Sequence, residues 1–177
     1  MTRNVFRIAG ALALLSTAQL QAAAPTDAKP CITQPEVHGM VAYILPSIVT
    51  SVVSRCQATL PPSAAMLSRG PQLATALVGG RVAAFPLARQ GFAKFTDQGN
   101  KLVTGMLLRM SEVQLRPIME AAVEQELMSS FKVRDCADID RVFATLQPLP
   151  ANNFVDLFTQ VIALAARNSK DVSVCAA

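Results

Sequence analysis

Apolar side chains recur along the chain at the three- and four-residue spacing that a helix places on one face, and no stretch shows the alternation of a β-strand. The clearest stripes run through Leu102, Val103, Met106, Leu107 and Met110; through Leu115, Ile118, Met119, Ala122, Val123 and Leu127; and through Phe154, Leu157, Phe158, Val161, Leu164 and Ala165. The pattern predicts an all-α bundle of about five to seven helices, several of them kinked by proline or glycine.

The first helix is predicted to begin at Thr33-Gln34-Pro35-Glu36. This segment matches a capping box, with a hydroxyl at the N-cap, a carboxylate three residues later and proline in the first turn. The stretch from 37 to 54 is uncharged and long enough to raise the question of a membrane span. Pro46 and the neighbouring Ser47 favour instead a buried helix that is kinked at the proline. Leu60-Pro61-Pro62 predicts its end.

The middle of the chain keeps helical spacing but is broken by glycine and proline. Ser63 to Arg69 predicts a short helical turn that is closed by Gly70. Residues 71–96 predict two short helices or one broken helix. The interruptions are Gly79-Gly80, Pro86 and Gly91. Asp97-Gln98-Gly99-Asn100 predicts a turn.

Capping residues mark the later boundaries. Ser111 is predicted to cap a new helix, unless one helix continues through this point and kinks at Pro117. Asp135 is a good N-cap for the next helix. The connector 147–150, which contains two prolines, then precedes the last helix, and residues 168–177 form a tail.

The N-terminus has the three regions of a secretory signal peptide. Its start carries two arginines and no acid, residues 8–15 are apolar apart from one glycine, and Ala22-Ala23-Ala24 offers small residues for cleavage. The apolar run is shorter than the about 20 residues that a membrane span needs. We expect residues 1–24 to be a cleavable signal peptide and residues 25–177 to be a single helical domain without a transmembrane anchor after processing.

Removal of the signal changes the charge of the chain. The precursor has 16 Lys and Arg against 12 Asp and Glu, a net charge of +4. Without the two arginines of the signal, 14 of the 16 cations remain, and the net charge falls to about +2. These cations are scattered singly, whereas a nucleic-acid surface clusters them. The sequence therefore indicates no nucleic-acid partner.

All four cysteines, Cys31, Cys56, Cys136 and Cys175, lie in the predicted mature part. An even number in an exported chain indicates two disulfides, and the absence of C-x-x-C argues against a redox site or a zinc knuckle. If residues 34–57 form one helix, Cys31 and Cys56 lie roughly 30 Å or more apart. A disulfide requires Cα atoms within about 7 Å, so this pairing is disfavoured. Either remaining connectivity ties the first helix to the C-terminal hairpin.

Three short elements surround the cysteines. They are Cys31-Ile32-Thr33 with Glu36; Arg55-Cys56 with Leu60-Pro61; and Asp135-Cys136 with Asp140-Arg141, followed by Leu146-Gln147-Pro148-Leu149-Pro150 and Asn153. Together they resemble a group of small exported helical four-cysteine proteins of proteobacteria that carry no assigned activity. The resemblance covers most of the mature chain and is loose between residues 63 and 130. It implies a Gram-negative periplasmic setting, supports the four-cysteine framework and transfers no catalytic residue.

Motifs for nucleophilic or metal chemistry are incomplete. His38 is the only histidine, and we interpret it as a packed or surface helix residue because a catalytic triad or a zinc site needs further partners. Ser129-Ser130-Phe131-Lys132 contains the S-x-x-K pattern of penicillin-recognising enzymes, but the partner motifs S-D-N and K-T-G are absent. We expect no catalytic residue, metal or cofactor.

Two further pairs fall one helical turn apart. Glu120 and Glu124 share a face, as two carboxylates of a glycan hydrolase could, but we interpret them as a solvated face opposite the apolar stripe. Met106 and Met110 could bind Cu(I), but their place on an apolar stripe indicates helix core.

The sequence therefore favours a periplasmic or secreted binding or interaction module without enzymatic activity. An envelope protein, a peptide or a lipid would be its partner. Two alternatives stay open. One is an envelope glycan hydrolase that uses carboxylates, and the other is a membrane-associated protein that uses the apolar helix at 37–54.

Overall fold

The computed structural model describes residues 31–96, 101–166 and 174–175, and within them the chain forms seven α-helices, one short 3-10 turn and no β-strand. The predicted all-α bundle is therefore confirmed. The helices are α1 (Gln34–Cys56), α2 (Ala65–Val78), α3 (Arg81–Phe95), α4 (Lys101–Arg109), α5 (Glu112–Ser130), α6 (Cys136–Leu146) and α7 (Ala151–Ala166). The predicted signal peptide at 1–24 and the predicted turn at 97–100 lie outside the described residues.

Helix α1 begins at the predicted capping box. The Thr33 hydroxyl accepts a hydrogen bond from the Glu36 backbone N–H at 3.4 Å, and the Glu36 carboxylate accepts one from the Thr33 N–H at 2.8 Å. Both bonds satisfy donors that the first helical turn leaves unpaired. The helix continues through Pro46, whose carbonyl accepts a hydrogen bond from the Thr50 hydroxyl at 2.9 Å. Such back-bonding occurs where helices bend.

Helix α1 is the element around which the others pack, because it contacts α2, α3, α5 and α7. It is long and apolar enough to cross a membrane by length and composition, but half of that apolar window is buried inside the bundle. Its Tyr43 is fully buried in a cluster with Phe92, Leu107 and Leu115 from three other helices. The prediction of a buried first helix is confirmed.

Helix α2 corrects one prediction. Gly70 does not close a short turn, because α2 is continuous from Ala65 to Val78 and contains Gly70 and Pro71 in its interior. Its buried stripe consists of Met66, Gly70, Ala74 and Leu77. A Cβ atom on Gly70 would lie 2.5 Å from the Val53 Cγ2 atom of α1. Glycine therefore allows the two helices to approach closely, and this packing outweighs the local preference of Gly-Pro for a helix end.

Of the other predicted interruptions, Gly79-Gly80 separates two helices, whereas Pro86 and Gly91 lie inside the continuous helix α3. The break at Gly79-Gly80 divides α2 from α3, so two helices form between residues 65 and 95. Ser111 is the N-cap of α5, and its backbone N–H donates to the Gln114 side chain at 3.0 Å. Asp135 is the N-cap of α6, but its carboxylate accepts from the Lys132 N–H at 3.2 Å and so caps the preceding 3-10 turn, Val133–Asp135.

Two disulfides crosslink the bundle at the two ends of α1. Cys31 pairs with Cys175 across a Cα separation of 5.0 Å, and Cys56 pairs with Cys136 across 5.6 Å. Beside the first disulfide, the Cys175 N–H donates to the Ile32 carbonyl at 3.0 Å. Each bridge joins an N-terminal cysteine to a C-terminal one, as the length of the first helix required.

Candidate ligand-binding cleft

A cleft of about 450 Å³ opens between α1, α2 and α5. Helix α1 packs against both other helices, so its residues lie between the two walls. The lining residues are Pro46, Ser47, Ile48, Thr50, Ser51 and Val53 of α1; Pro71, Ala74, Thr75 and Val78 of α2; Glu120, Val123, Glu124 and Leu127 of α5; and Arg81 of α3. Most of these side chains are apolar or carry a hydroxyl, and three are charged.

Arg81 is the most enclosed charged residue of the cleft, with its side chain only 12% exposed. Its Nε atom donates to the Tyr43 carbonyl at 2.9 Å, and its Nη2 atom donates to the Ser47 Oγ atom at 2.6 Å. The Nη1 atom lies 3.3 Å from the Glu120 Oε1 atom. A cation in the first turn of a helix is disfavoured by the helix dipole. These contacts offset that cost and hold Arg81 across the α1–α5 interface.

Helix α5 presents three charged residues on successive turns toward α1. Glu120 accepts a hydrogen bond from the Ser47 hydroxyl at 2.8 Å, and Glu112 accepts one from the Tyr43 hydroxyl at 3.3 Å. Between them, Arg116 donates to Glu112 at 2.5 Å. Burial raises the pKa of the Tyr43 phenol, and the hydrogen bond to Glu112 raises the pKa of the Arg116 guanidinium. Tyr43 therefore stays neutral and Arg116 stays charged at neutral pH.

The interpretation of Glu120 as part of a solvated helix face is wrong in one respect. Its side chain is 34% exposed and is bound by Ser47 and Arg81, so it faces the cleft and not open solvent. The spacing on the helix did not reveal this, because both partners come from distant parts of the chain. Glu124, one turn later, is exposed at the cleft and forms no ion pair within the described residues.

His38 and the two serines of the incomplete catalytic motifs lie on separate helices, and each has a partner. His38 lies on the surface, with its Nε2 atom 3.3 Å from the Asp156 Oδ1 atom. The hydroxyls of Ser129 and Ser130 both donate to the Glu126 carbonyl, at 2.8 and 2.9 Å. This back-bonding is an ordinary local arrangement for serine in a helix, and it uses the hydroxyl hydrogen of both residues.

The prediction that Met106 and Met110 belong to the helix core is wrong for Met106. That side chain is 55% exposed, whereas Met110 is partly buried against the Tyr43 cluster. Leu107 is the one buried residue of α4. In the part of the chain that the structure describes, no group of three or more His, Cys, Asp or Glu residues could hold a metal ion.

Sequence reasoning missed most of the polar network beside the cleft. One signal was available, because Glu112, Arg116 and Glu120 lie four residues apart with alternating charge, which predicts one continuous polar helix face. No comparable signal marks Ser47 or Arg81, since their contacts depend on how α1 and α3 pack.

The polar network joins side chains of α1, α3 and α5. The Ser47 hydroxyl donates to Glu120 and accepts from Arg81. His38 lies nine residues earlier on α1, about 13 Å away along the helix axis. The network links α5 to α1 and forms the polar end of the cleft.

Comparison of the chain with protein-family models, with curated proteins and with solved structures gave no match.

Proposed function

We propose that this protein is an exported, non-enzymatic binding module whose α1–α2–α5 cleft receives a small ligand with an apolar body. The cleft itself carries the proposal. Its volume of about 450 Å³ falls in the range of ligand pockets, about 300–1,000 Å³, and such pockets combine apolar walls with a few placed polar groups. Here the walls come from α2 and α5, and the polar groups are the Ser47–Arg81–Glu120 cluster.

The polar end supports binding because it is already ordered. Each nitrogen of the Arg81 guanidinium group has a protein partner, so the cluster needs no ligand to fix its geometry. A preorganised site loses less conformational entropy when a ligand binds. The Arg81 guanidinium carbon also lies 5.3 Å from the centre of the buried Tyr43 ring, which further restrains it.

Export is the second part of the proposal, and the two disulfides support it, because disulfides persist in oxidising compartments. The predicted signal peptide at 1–24 and the resemblance to small exported proteobacterial proteins point to the periplasm. Intact mass spectrometry of the protein from a Gram-negative envelope extract tests this. We expect a chain that begins after Ala22, Ala23 or Ala24 and lacks one hydrogen per cysteine. An uncleaved or fully reduced chain would contradict export.

The glycan-hydrolase alternative rests on Glu120 and Glu124, which both line the cleft. Glycosidases place an acid and a second carboxylate on either side of the scissile bond. These two residues come from the same helix, one turn apart, and Glu120 is bound by a guanidinium and a hydroxyl. The geometry therefore supports this alternative less well than ligand binding.

Fluorescence titration with Nile red, a neutral apolar dye, tests occupation of the cleft. Thr75 is exposed on α2 and lines the cleft, so Thr75→Trp places an indole in the ligand space. We expect this variant to weaken dye binding by about tenfold or more, a loss near 1.4 kcal/mol. The matched control is Ala76→Trp, at the next position of α2, which is exposed and does not line the cleft.

The control should bind the dye as the unchanged protein does. Equal binding by both variants would place the dye elsewhere on the surface. Absence of binding by the unchanged protein would contradict the proposal directly.

A further inference from the structure

Helix α4 exposes apolar side chains that its spacing predicted to be core. Leu102 is 86% exposed and Met106 is 55% exposed, and they lie one helical turn apart. The helix packs against α3 chiefly through Leu107, so its opposite side faces outward. This exposed apolar pair, on a helix that already has a packed side, makes the outward side of α4 a candidate contact surface.

The outward side of α4 is also open and slightly concave. A depression of about 550 Å³ is lined by Lys101, Leu102, Gly105, Met106, Arg109, Met110 and Gln114. A Cβ atom on Gly105 would meet nothing within 4 Å. We call Lys101, Leu102, Gly105, Met106 and Arg109 the α4 face.

Cations stand at both ends of the α4 face, and no acid lies among them. Lys101 begins the helix and Arg109 ends it, and both are exposed. The sequence holds no Asp or Glu between Asp97 and Glu112. Long basic side chains can extend their charges away from an apolar surface that their stems help to cover. The face thus combines an apolar centre with a positive rim.

We propose that the α4 face is a docking surface for a lipid bilayer that carries anionic headgroups. Leu102 and Met106 enter the boundary between headgroups and acyl chains, while Lys101 and Arg109 lie against the phosphates. This is the binding mode of interfacial amphipathic helices, in which apolar burial and attraction to anionic lipid act together. A bilayer fits better than an acidic protein because the positive charges flank an apolar centre, which is the composition of helices that lie at a membrane interface. The inference does not depend on the cleft, which lies on other helices.

Co-sedimentation of the oxidised mature protein with lipid vesicles tests the proposal. The vesicles are made of phosphatidylcholine alone or of phosphatidylcholine with phosphatidylglycerol. We expect binding only to the vesicles that contain phosphatidylglycerol, and weaker binding as salt is added, because salt screens the attraction. The Lys101→Gln/Arg109→Gln variant should lower the partition coefficient about thirtyfold, which corresponds to about 1 kcal/mol for each cation near an anionic surface.

Three further variants test whether the α4 face, and not overall charge or general apolar adhesion, carries the binding. Met106→Ser changes an exposed side chain and should also lower binding, whereas Val161→Ser changes an exposed apolar residue of α7 and should not. Arg69→Gln/Lys132→Gln removes two exposed cations elsewhere and should leave binding close to that of the unchanged protein. Equal binding to both vesicle types, absence of binding, or an equal loss in the control variants would each overturn the proposal.

Discussion

Glu36 lies buried at the start of α1, where it caps the helix and pairs with Lys94. The substitution Glu36→Gln tests the ion pair apart from the cap. The side chain is 6% exposed, accepts a hydrogen bond from the Thr33 N–H and lies 2.7 Å from the Lys94 Nζ atom of α3. Glutamine has the same length and keeps a carbonyl oxygen for Thr33. The substitution therefore preserves the capping box and removes the negative charge that attracts Lys94.

The cost follows from the exposure of the two partners. A hydrogen bond to a charged group contributes about 1.5–3 kcal/mol. Lys94 is 32% exposed, so solvent screens part of this interaction and can take up the ammonium group when its partner is neutral. We expect Glu36→Gln to lower the free energy of unfolding by about 1–2 kcal/mol at neutral pH.

This loss should depend on pH in a defined direction. Burial raises the pKa of Glu36, but the hydrogen bonds from Lys94 and Thr33 outweigh it and hold the pKa below its usual value. A carboxyl with a lowered pKa stabilises the fold above its unfolded pKa, about 4.3, and loses that contribution as the pH falls through the folded value. The difference between the unchanged protein and Glu36→Gln should be full at neutral pH, shrink as the pH falls below the unfolded pKa, and vanish once the pH is below the lowered folded pKa.

Urea unfolding followed by far-UV circular dichroism, with the disulfides intact, measures this difference across the pH range. Glu126→Gln is the control, because Glu126 is exposed on α5 and its change should cost less than about 0.5 kcal/mol. A loss for Glu36→Gln that stays the same from neutral to acidic pH would refute the ion-pair reasoning. It would mean that the packing of the glutamine, and not the charge, sets the cost.

Further perturbations test the crosslinks and the helix contacts by the same unfolding assay. The Cys56→Ala/Cys136→Ala variant removes the crosslink that closes a loop of 80 residues, and its free energy of unfolding should fall by about 4–5 kcal/mol by the loop-entropy estimate. A fall of less than about 1 kcal/mol would contradict this estimate. Gly39→Ala places a Cβ atom 2.5 Å from the Leu87 Cβ atom, so it should cost about 1–3 kcal/mol. A neutral effect of Gly39→Ala would show that α1 and α3 separate easily. In Gly105→Ala the new Cβ atom meets open space, so this change should instead stabilise the protein by about 0.5–1 kcal/mol.

Signals that act between residues three or four apart were readable from the sequence. The capping box at Thr33 and Glu36, the cap at Ser111 and the break at Gly79-Gly80 all depend on local backbone chemistry, and the structure has each of them. The prediction that a disulfide between Cys31 and Cys56 is disfavoured is also confirmed, and it needed only the rise of a helix.

Features decided by packing could not be read in this way. Gly70 lies inside α2 because its missing side chain lets α2 contact Val53 of α1, a contact that no local rule encodes. Met106 occupies an apolar stripe yet is exposed, since α4 has a packed partner on one side only. Arg81 and Glu120 are 39 residues apart in sequence and meet only after α3 and α5 pack on α1. The cleft therefore depends on tertiary structure.

The most direct test of the central claim is methyl NMR of the protein titrated with Nile red. Four aliphatic residues that line the cleft, Val53, Val78, Val123 and Leu127, report on its occupation, and Val161 on α7 reports on a distant exposed apolar surface. We predict saturable shifts at the four cleft residues and no shift at Val161. Shifts confined to Val161, or spread evenly over exposed methyl groups, would contradict a binding role for the cleft.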